Sequence, residues 1–333
     1  MSGIGSEELP LFGDNVSFEE AQAALDALQL GDGLPLVPPT RSRLARMLQG
    51  VAEPSRSFGQ VPPLFGELTV SAVAYQCVLA GCVPAELPVV LAAVTACLEP
   101  DFNLLGIQTT TGTPTVAAIV HGPIAARLGM NASANCLGPG NRANACIGRA
   151  IRLALTNIGG AHPGVGDMAT MGQPGKYTFA FAEVDDPWAP PLHVRRGFTR
   201  EADAVTVLGV SGTMEVLPVD GGSSPQAVLR PMLDAMRGAR LAASAGRERP
   251  GGEQFFLLPP EMARMIERGG WDLAAAQDYL FNQSESAARI AASPRDIHPI
   301  VTGGAGLKMT YPPLWMGGTR SVTRAIESLG RKE

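Results

Sequence analysis

Leu137-Gly138-Pro139-Gly140-Asn141-Arg142-Ala143-Asn144 is the stretch on which the reading of this chain turns. A glycine–proline turn runs straight into an amphipathic helix, Arg142–Ile158. Ile147, Ile151 and Leu155 recur every four residues along its core stripe, and Ile158 continues that stripe three residues later. Asn141 is placed to cap the helix by accepting a first-turn N–H. The remaining free N–H groups, together with the helix dipole, favour an anion, and Arg142 adds a planar fork suited to a carboxylate. Asn131, Asn135, Asn141, Arg142 and Asn144 fall close together, and such groups are costly to bury unpaired. Either a polar ligand or a dense internal network must satisfy them. Gly140, Asn141, Arg142 and Asn144 are therefore candidate substrate-binding residues. The plainer alternative is an ordinary capped helix.

Outward from this helix, the spacing predicts alternating elements. Ser17-Phe18-Glu19-Glu20 is a capping box opening a helix to about Leu30, and Thr40 can cap Arg41–Leu48. Residues 53–66 read as a loop. Leu68–Ala80 and Pro84–Leu98 are apolar on all sides and should be buried helices. Gly106–Thr110, Thr115–Val120, Tyr177–Val184, Ala204–Val210, Phe255–Leu258 and His298–Thr302 read as strands. Gln226–Ala242, Pro260–Arg268 and Asp272–Gln283 read as helices. The pattern is that of an α/β or α+β protein, with Gly-rich loops between buried helices and a mixed sheet. Two subdomains are expected: an N-terminal arm and helix over 1–30, a first domain over 31–190 carrying the anion site, and a second α/β domain over 191–333.

Composition narrows the function. Of the 333 residues 45% are hydrophobic and 17% charged, which predicts a substantial core. The net charge of −5 and the lack of a basic patch argue against nucleic acid as partner. No apolar run is long enough for a membrane span, and no signal peptide is read at the start, so a cytoplasmic protein is expected. The five cysteines form no CxxC pair and the four histidines show no ligand spacing, so neither a metal site nor an organic cofactor is expected.

Lysine is scarce. Lys176, Lys308 and Lys332 are the only three, and arginine supplies the other basic residues. Lys176 ends Gly172-Gln173-Pro174-Gly175-Lys176, and Lys308 ends Gly303-Gly304-Ala305-Gly306-Leu307-Lys308. Burial turns a lysine into a base or nucleophile, so Lys176 and Lys308 are candidate catalytic groups, expected to converge near Arg142. Codon bias is the competing explanation. His162, in His162-Pro163-Gly164-Val165-Gly166-Asp167, and Glu183 are candidates for proton transfer. Thr109 and Thr110 offer hydroxyls, and Gly303 and Gly304 offer backbone N–H groups to a ligand. Cys136 and Cys146 flank the helix start as a candidate thiol pair.

Several of these runs resemble a large family of poorly characterised bacterial hypothetical proteins associated with UGSC-motif (seleno)proteins. They are Asp32-Gly33-Leu34-Pro35-Leu36-Val37-Pro38-Pro39-Thr40, Leu137–Asn144, Gly175-Lys176-Tyr177-Thr178-Phe179, Gly303-Gly304-Ala305-Gly306 and Arg320-Ser321-Val322-Thr323-Arg324. The resemblance spans about residues 30–325 and implies a redox or sulfur context. This chain has no Cys-Gly-Ser-Cys run. It also departs from the family pattern at Met262, where a histidine is typical, and at Leu307. The expected function is an enzyme acting on a small anionic or carbonyl-bearing molecule by hydrolase- or lyase-type chemistry. The alternative is a non-catalytic subunit or scaffold for a thiol or selenol redox partner protein, and a homo-oligomer fits either.

Overall fold

The computed structural model describes residues 9–244, 252–283 and 290–330. Its helices are α1 Phe18–Ala27, α2 Arg41–Met47, α3 Val70–Ala80, α4 Leu87–Cys97, α5 Leu104–Thr109, α6 Pro123–Arg127, α7 Arg142–Asn157, α8 Leu192–Arg195, α9 Pro225–Ser244, α10 Pro260–Arg268 and α11 Leu273–Asn282. Its strands are β1 Ser57–Val61, β2 Gly66–Thr69, β3 Thr115–His121, β4 Ala180–Ala182, β5 Ala204–Val210, β6 Met214–Val216, β7 Gln254–Leu258, β8 Ile297–Val301, β9 Met309–Tyr311 and β10 Val322–Ala325. The mixture of helices with mixed sheets is the fold class expected of the sequence. Among the described residues no single helix is long and apolar enough to cross a membrane.

Beyond the β1–β2 hairpin, two four-stranded sheets form the centre, ordered β10-β5-β3-β4 and β6-β9-β7-β8. Alternation along the strands assigns the layers. On β3, Val116, Ala118 and Val120 join the core built by α3, α4 and α7, while Ala117 and Ile119 face the other way. On β7, Phe256 and Leu258 join the core of α9, α10 and α11, while Phe255 and Leu257 face back. The back-facing residues meet each other, with Phe179, Phe181, Leu208 and Ile300, in one apolar cluster between the sheets. The order is helices, sheet, sheet, helices. Each fully buried Ile or Phe in these layers contributes about 1.5–3 kcal/mol.

The same path runs twice. β3 crosses over through α6 and α7 to a parallel β4, then β5 returns antiparallel to β3. β7 crosses over through α10 and α11 to a parallel β8, then β9 returns antiparallel to β7. After β5 the chain supplies β6 to the edge of the second sheet, and after β9 it supplies β10 to the edge of the first. The expected division at residues 190 and 191 therefore does not follow the sheets. β5 and β10, both from the second half, complete the sheet of the first half.

Two further expectations are corrected. Within the expected loop over 53–66 residues 57–61 form β1, which pairs with β2, and β2 takes Leu68 and Thr69 from the expected helix Leu68–Ala80. Gly106–Thr110 lies mostly within the helix α5, because Asn103 caps it by accepting the Gly106 N–H and so fixes a first turn. The long helix α7 begins where predicted, with Asn141 accepting the Asn144 N–H at 2.9 Å. It presses closely on the approach to β4. A Cβ on Gly148 would stand 2.4 Å from Thr178 Oγ1 and 2.6 Å from the Phe179 nitrogen. Gly148→Ala is expected to destabilise the protein by about 1–3 kcal/mol in urea unfolding, since backbone rather than a flexible side chain blocks the methyl.

Candidate functional site

The residues singled out from sequence fall into separate places. Lys176 ends a 3-10 turn and sets Nζ 2.6 Å and 2.8 Å from the two oxygens of Asp167. Arg152 Nη2 reaches the same carboxylate at 2.9 Å. Burial lowers the Lys176 pKa, and the bond to Asp167 only partly opposes it. His162 sits in the same loop, its pKa lowered by burial and by the Arg152 charge. Lys308 instead pairs with Glu215 at 2.8 Å, with 63% of its side chain exposed. A pair so wet contributes under about 1 kcal/mol. Arg142 is held by Glu86, through Nη2 to Oε1 at 2.7 Å and Nη1 to Oε2 at 3.1 Å. The expected convergence of Lys176, Lys308 and Arg142 is thus corrected. Each of the three cations is held by a different carboxylate, and Lys176 shares its own with Arg152.

The asparagine-rich entrance is an internal network. Buried Asn144 donates to the carbonyls of Asn131 and Cys136 and accepts the Asn131 N–H. Asn141 Nδ2 donates to the Gly129 carbonyl, while Gly140 supplies a positive φ of 115° to the turn. Gly303 donates its N–H to the Ala132 carbonyl, and a Cβ on Gly304 would strike the Ala134 backbone at 2.7 Å. These glycines let the chain after β8 lie against the loop before α7. The Thr109 hydroxyl donates to the Leu105 carbonyl, and Thr110 Oγ1 accepts the Gly112 N–H, so both serve local turns. Cys136 and Cys146 do not face each other. Cys136 contacts Thr302 and Cys146 lies by Cys82, and burial raises the pKa of both thiols. Met262 is fully buried in the core under α10.

Glu183 alone of the candidates enters a larger construction, a polar cluster at one end of the seam between the sheets. Parallel pairing sets Val120 opposite Ala182, so the next residues, His121 and Glu183, lie side by side. His121 Nδ1 stands 2.8 Å from Glu183 Oε2, turned off the line of an ideal hydrogen bond. Both side chains are fully buried. In the tautomer that turns an N–H from Nδ1 toward Glu183, Nε2 is the acceptor. Thr206 Oγ1 lies 2.8 Å from that Nε2. Antiparallel pairing then places Thr206 directly opposite Thr323 on β10, with their hydroxyl oxygens 2.7 Å apart. Arg196 Nη1 donates to Thr323 Oγ1 at 2.8 Å. With Nε2 as acceptor Thr206 spends its one proton on His121, so in its contact with Thr323 it accepts and the Thr323 hydroxyl donates. A directed chain results, from an arginine through two hydroxyls and an imidazole to a carboxylate.

Its surroundings are charged and tightly held. The Leu192 N–H donates to Glu183 Oε2 at 2.8 Å, and Arg195 Nη2 stands 3.5 Å from Oε1. His193 stacks on His121 with ring centroids 5.2 Å apart. Burial, helped by His121, lowers the His193 pKa. Buried atoms without a good hydrogen bond gather here: Glu183 Oε1, Arg195 Nη1 and both His193 ring nitrogens. On the other side of Arg196, Glu253 Oε2 accepts the Ser321 N–H at 2.6 Å and its hydroxyl at 2.9 Å. Oε1 takes Arg196 Nη2 at 3.2 Å, with His298 Nε2 at 3.5 Å. Burial works to raise the Glu253 pKa. The His298 ring, the Ser321 N–H and the Arg196 charge outweigh burial and hold the carboxyl at about 2.

The chain ends on a cavity of about 660 Å³. Arg196, Glu253, Arg320, Ser321, Thr323 and Arg324 are on its wall. Of the whole cluster, the sequence reading picked out Glu183 for chemistry and the Arg320–Arg324 run only for its resemblance. It missed His121, Thr206, Arg195, Arg196, Glu253 and His298. A signal existed, because His121, Thr206 and His298 are polar residues inside otherwise apolar strands, and a buried polar residue is the informative kind. Among the described residues no group of three His, Cys, Asp or Glu side chains is arranged to hold a metal ion. No protein-family model, curated protein or solved structure matches the chain.

Proposed function

We propose that this protein is an enzyme of lyase type that withdraws a proton from a small anionic or carbonyl-bearing molecule bound in the arginine-lined cavity. The observation that carries the reading is the chain of hydrogen bonds from Thr323 on the cavity wall through Thr206 to His121, whose ring lies against buried Glu183. Arg196 and Arg320 hold the anionic group. Thr323 Oγ1 accepts the substrate proton while its own proton passes to Thr206, and the Thr206 proton passes to His121 Nε2. The imidazolium so formed lies against Glu183. Thr323 Oγ1 gains one proton as it gives up another and stays neutral, the electron pair of the broken C–H bond remains on the substrate as an enolate, and Arg196 and Arg320 offset that charge. The depth of His121 keeps water from short-circuiting the transfer.

The test is solvent-deuterium exchange, followed by proton NMR, on a panel of small 2-oxo acids, 3-oxo acids and malonate. Wild-type protein should speed loss of the proton next to the carbonyl for at least one member, and folded Thr323→Val should not. A panel that exchanges no faster with protein than in buffer would sink the reading.

A second reading, a subunit that docks a partner protein, is favoured by one observation. Val165, Met168, Met171 and Tyr177 stand exposed on the loop around Lys176, Met171 at 87%.

A further inference from the structure

Glu253 lies on the wall of two cavities. One is the arginine-lined cavity just described. The other, of about 800 Å³, is lined by Met214, Met236, Ala239, Tyr311, Leu314 and Trp315 among others. The same stretch of chain edges both, Gly318 and Thr319 on the second and Arg320 to Arg324 on the first. The second cavity is apolar because its polar groups are already spoken for. The Tyr311 hydroxyl donates to Gln254 Oε1, and Gln254 Nε2 donates to the Ile290 carbonyl, each at 2.8 Å. Most of the remaining wall is ring, thioether and methyl surface, with Ser211, Thr319 and Arg240 beside it. Trp315 is a fixed part of that wall. A Cβ on Gly317 would stand 2.1 Å from its ring and one on Gly106 2.8 Å, so the indole lies directly on two glycines. A charged cavity beside a rigid apolar one is the arrangement that binds an amphipathic ligand, polar groups fixing orientation and apolar walls supplying affinity.

We infer that the substrate is an amphipathic carboxylate, its anionic head at Arg196 and its apolar tail in the cavity walled by Met236, Tyr311, Leu314 and Trp315. The inference rests on the reading of the arginine cavity as the substrate site. It adds the class of molecule, a medium-length acyl or arylalkyl acid in place of a fully polar metabolite. Glu253 then stands between head and tail, on the wall of both cavities.

The test is isothermal titration of the full chain with acetate, hexanoate and decanoate. Each methylene taken into the apolar cavity should tighten binding about fourfold. Ala239→Trp, which fills the cavity, should flatten that climb and leave acetate unchanged. Ala242→Trp, at an exposed position on the same wall, gives the same comparison if the first variant does not fold. Arg196→Met should weaken all three acids together. Equal affinity for all chain lengths, lost in Arg196→Met, would overturn the tail assignment and leave the arginine cavity as the head site. A climb with length that Arg196→Met does not touch would overturn the idea of one ligand across both cavities. No binding of any of the three acids would remove both this inference and the reading beneath it.

Discussion

His121→Gln protein should fold as wild type does and exchange the substrate proton about 10²- to 10⁴-fold more slowly. Glutamine keeps a polar group of similar reach between Glu183 and Thr206, so the buried carboxylate is not left without a donor. What it cannot do is take up a proton at the position of Nε2. The variant therefore separates a proton sink from a structural spacer. If His121 only fills space at the end of β3, the folded variant exchanges at the wild-type rate and the relay is wrong. Thr206→Val cuts the same chain one link nearer the cavity. It should lose a comparable part of the rate and, in addition, about 1–3 kcal/mol of stability, because His121 Nε2 and the Thr323 hydroxyl lose a buried partner. A rate loss shared by both variants, with a stability loss confined mainly to the second, is the signature of a chain that moves protons.

The parts of this fold that were legible in sequence are those set by local chemistry. The Ser17 capping box, the Thr40 cap and the Asn141 cap all form, because a short polar side chain next to an apolar-periodic run has few other uses. The all-apolar runs behind α3 and α4 are buried on every side as expected. What was not legible is pairing at a distance. β10 is four residues of mixed character, and it is a strand because β5 offers it an edge. β6 and β9 are equally short, and neither would be picked out without its partner. The doubled strand path has no matching sequence repeat, since either half needs only alternation and turns in the right order. The site was obscured for the same reason. Lysine scarcity and glycine loops are visible along the chain, whereas His121, Thr206 and Thr323 become neighbours only through register across β3, β5 and β10. Glu183 was picked out as an acid at a strand end. Its partner on the neighbouring strand, His121, was not.

Glu253 should make the protein's stability fall in acid. Its carboxyl sits at about 2 in the folded state against an ordinary 4.5, so the unfolded chain binds a proton more readily throughout that window. Stability from this group is therefore fully present above pH 4.5, falls as the pH drops through the window and is gone below about 2. The difference between the two values, at 1.36 kcal/mol per unit, is worth roughly 3 kcal/mol at neutral pH. Glu253→Gln should lose about that much in urea unfolding at pH 7. Near pH 3, where the wild-type protein has itself given up more than half of the contribution, the two proteins should draw together. A loss of equal size at both pH values would show that packing at Glu253, and not its charge, holds Ser321, Arg196 and His298 in place. The ionised carboxylate does more than brace the fold. It orients Arg196 through Nη2 while Nη1 holds Thr323, so one guanidinium joins the stability of the seam to the alignment of the proton path. Glu253→Gln should accordingly slow the exchange reaction as well at neutral pH, because a neutral amide no longer fixes the fork that holds Thr323 at the cavity wall, and the difference in rate should narrow only as the pH approaches about 2, where the wild-type carboxyl is itself neutralised.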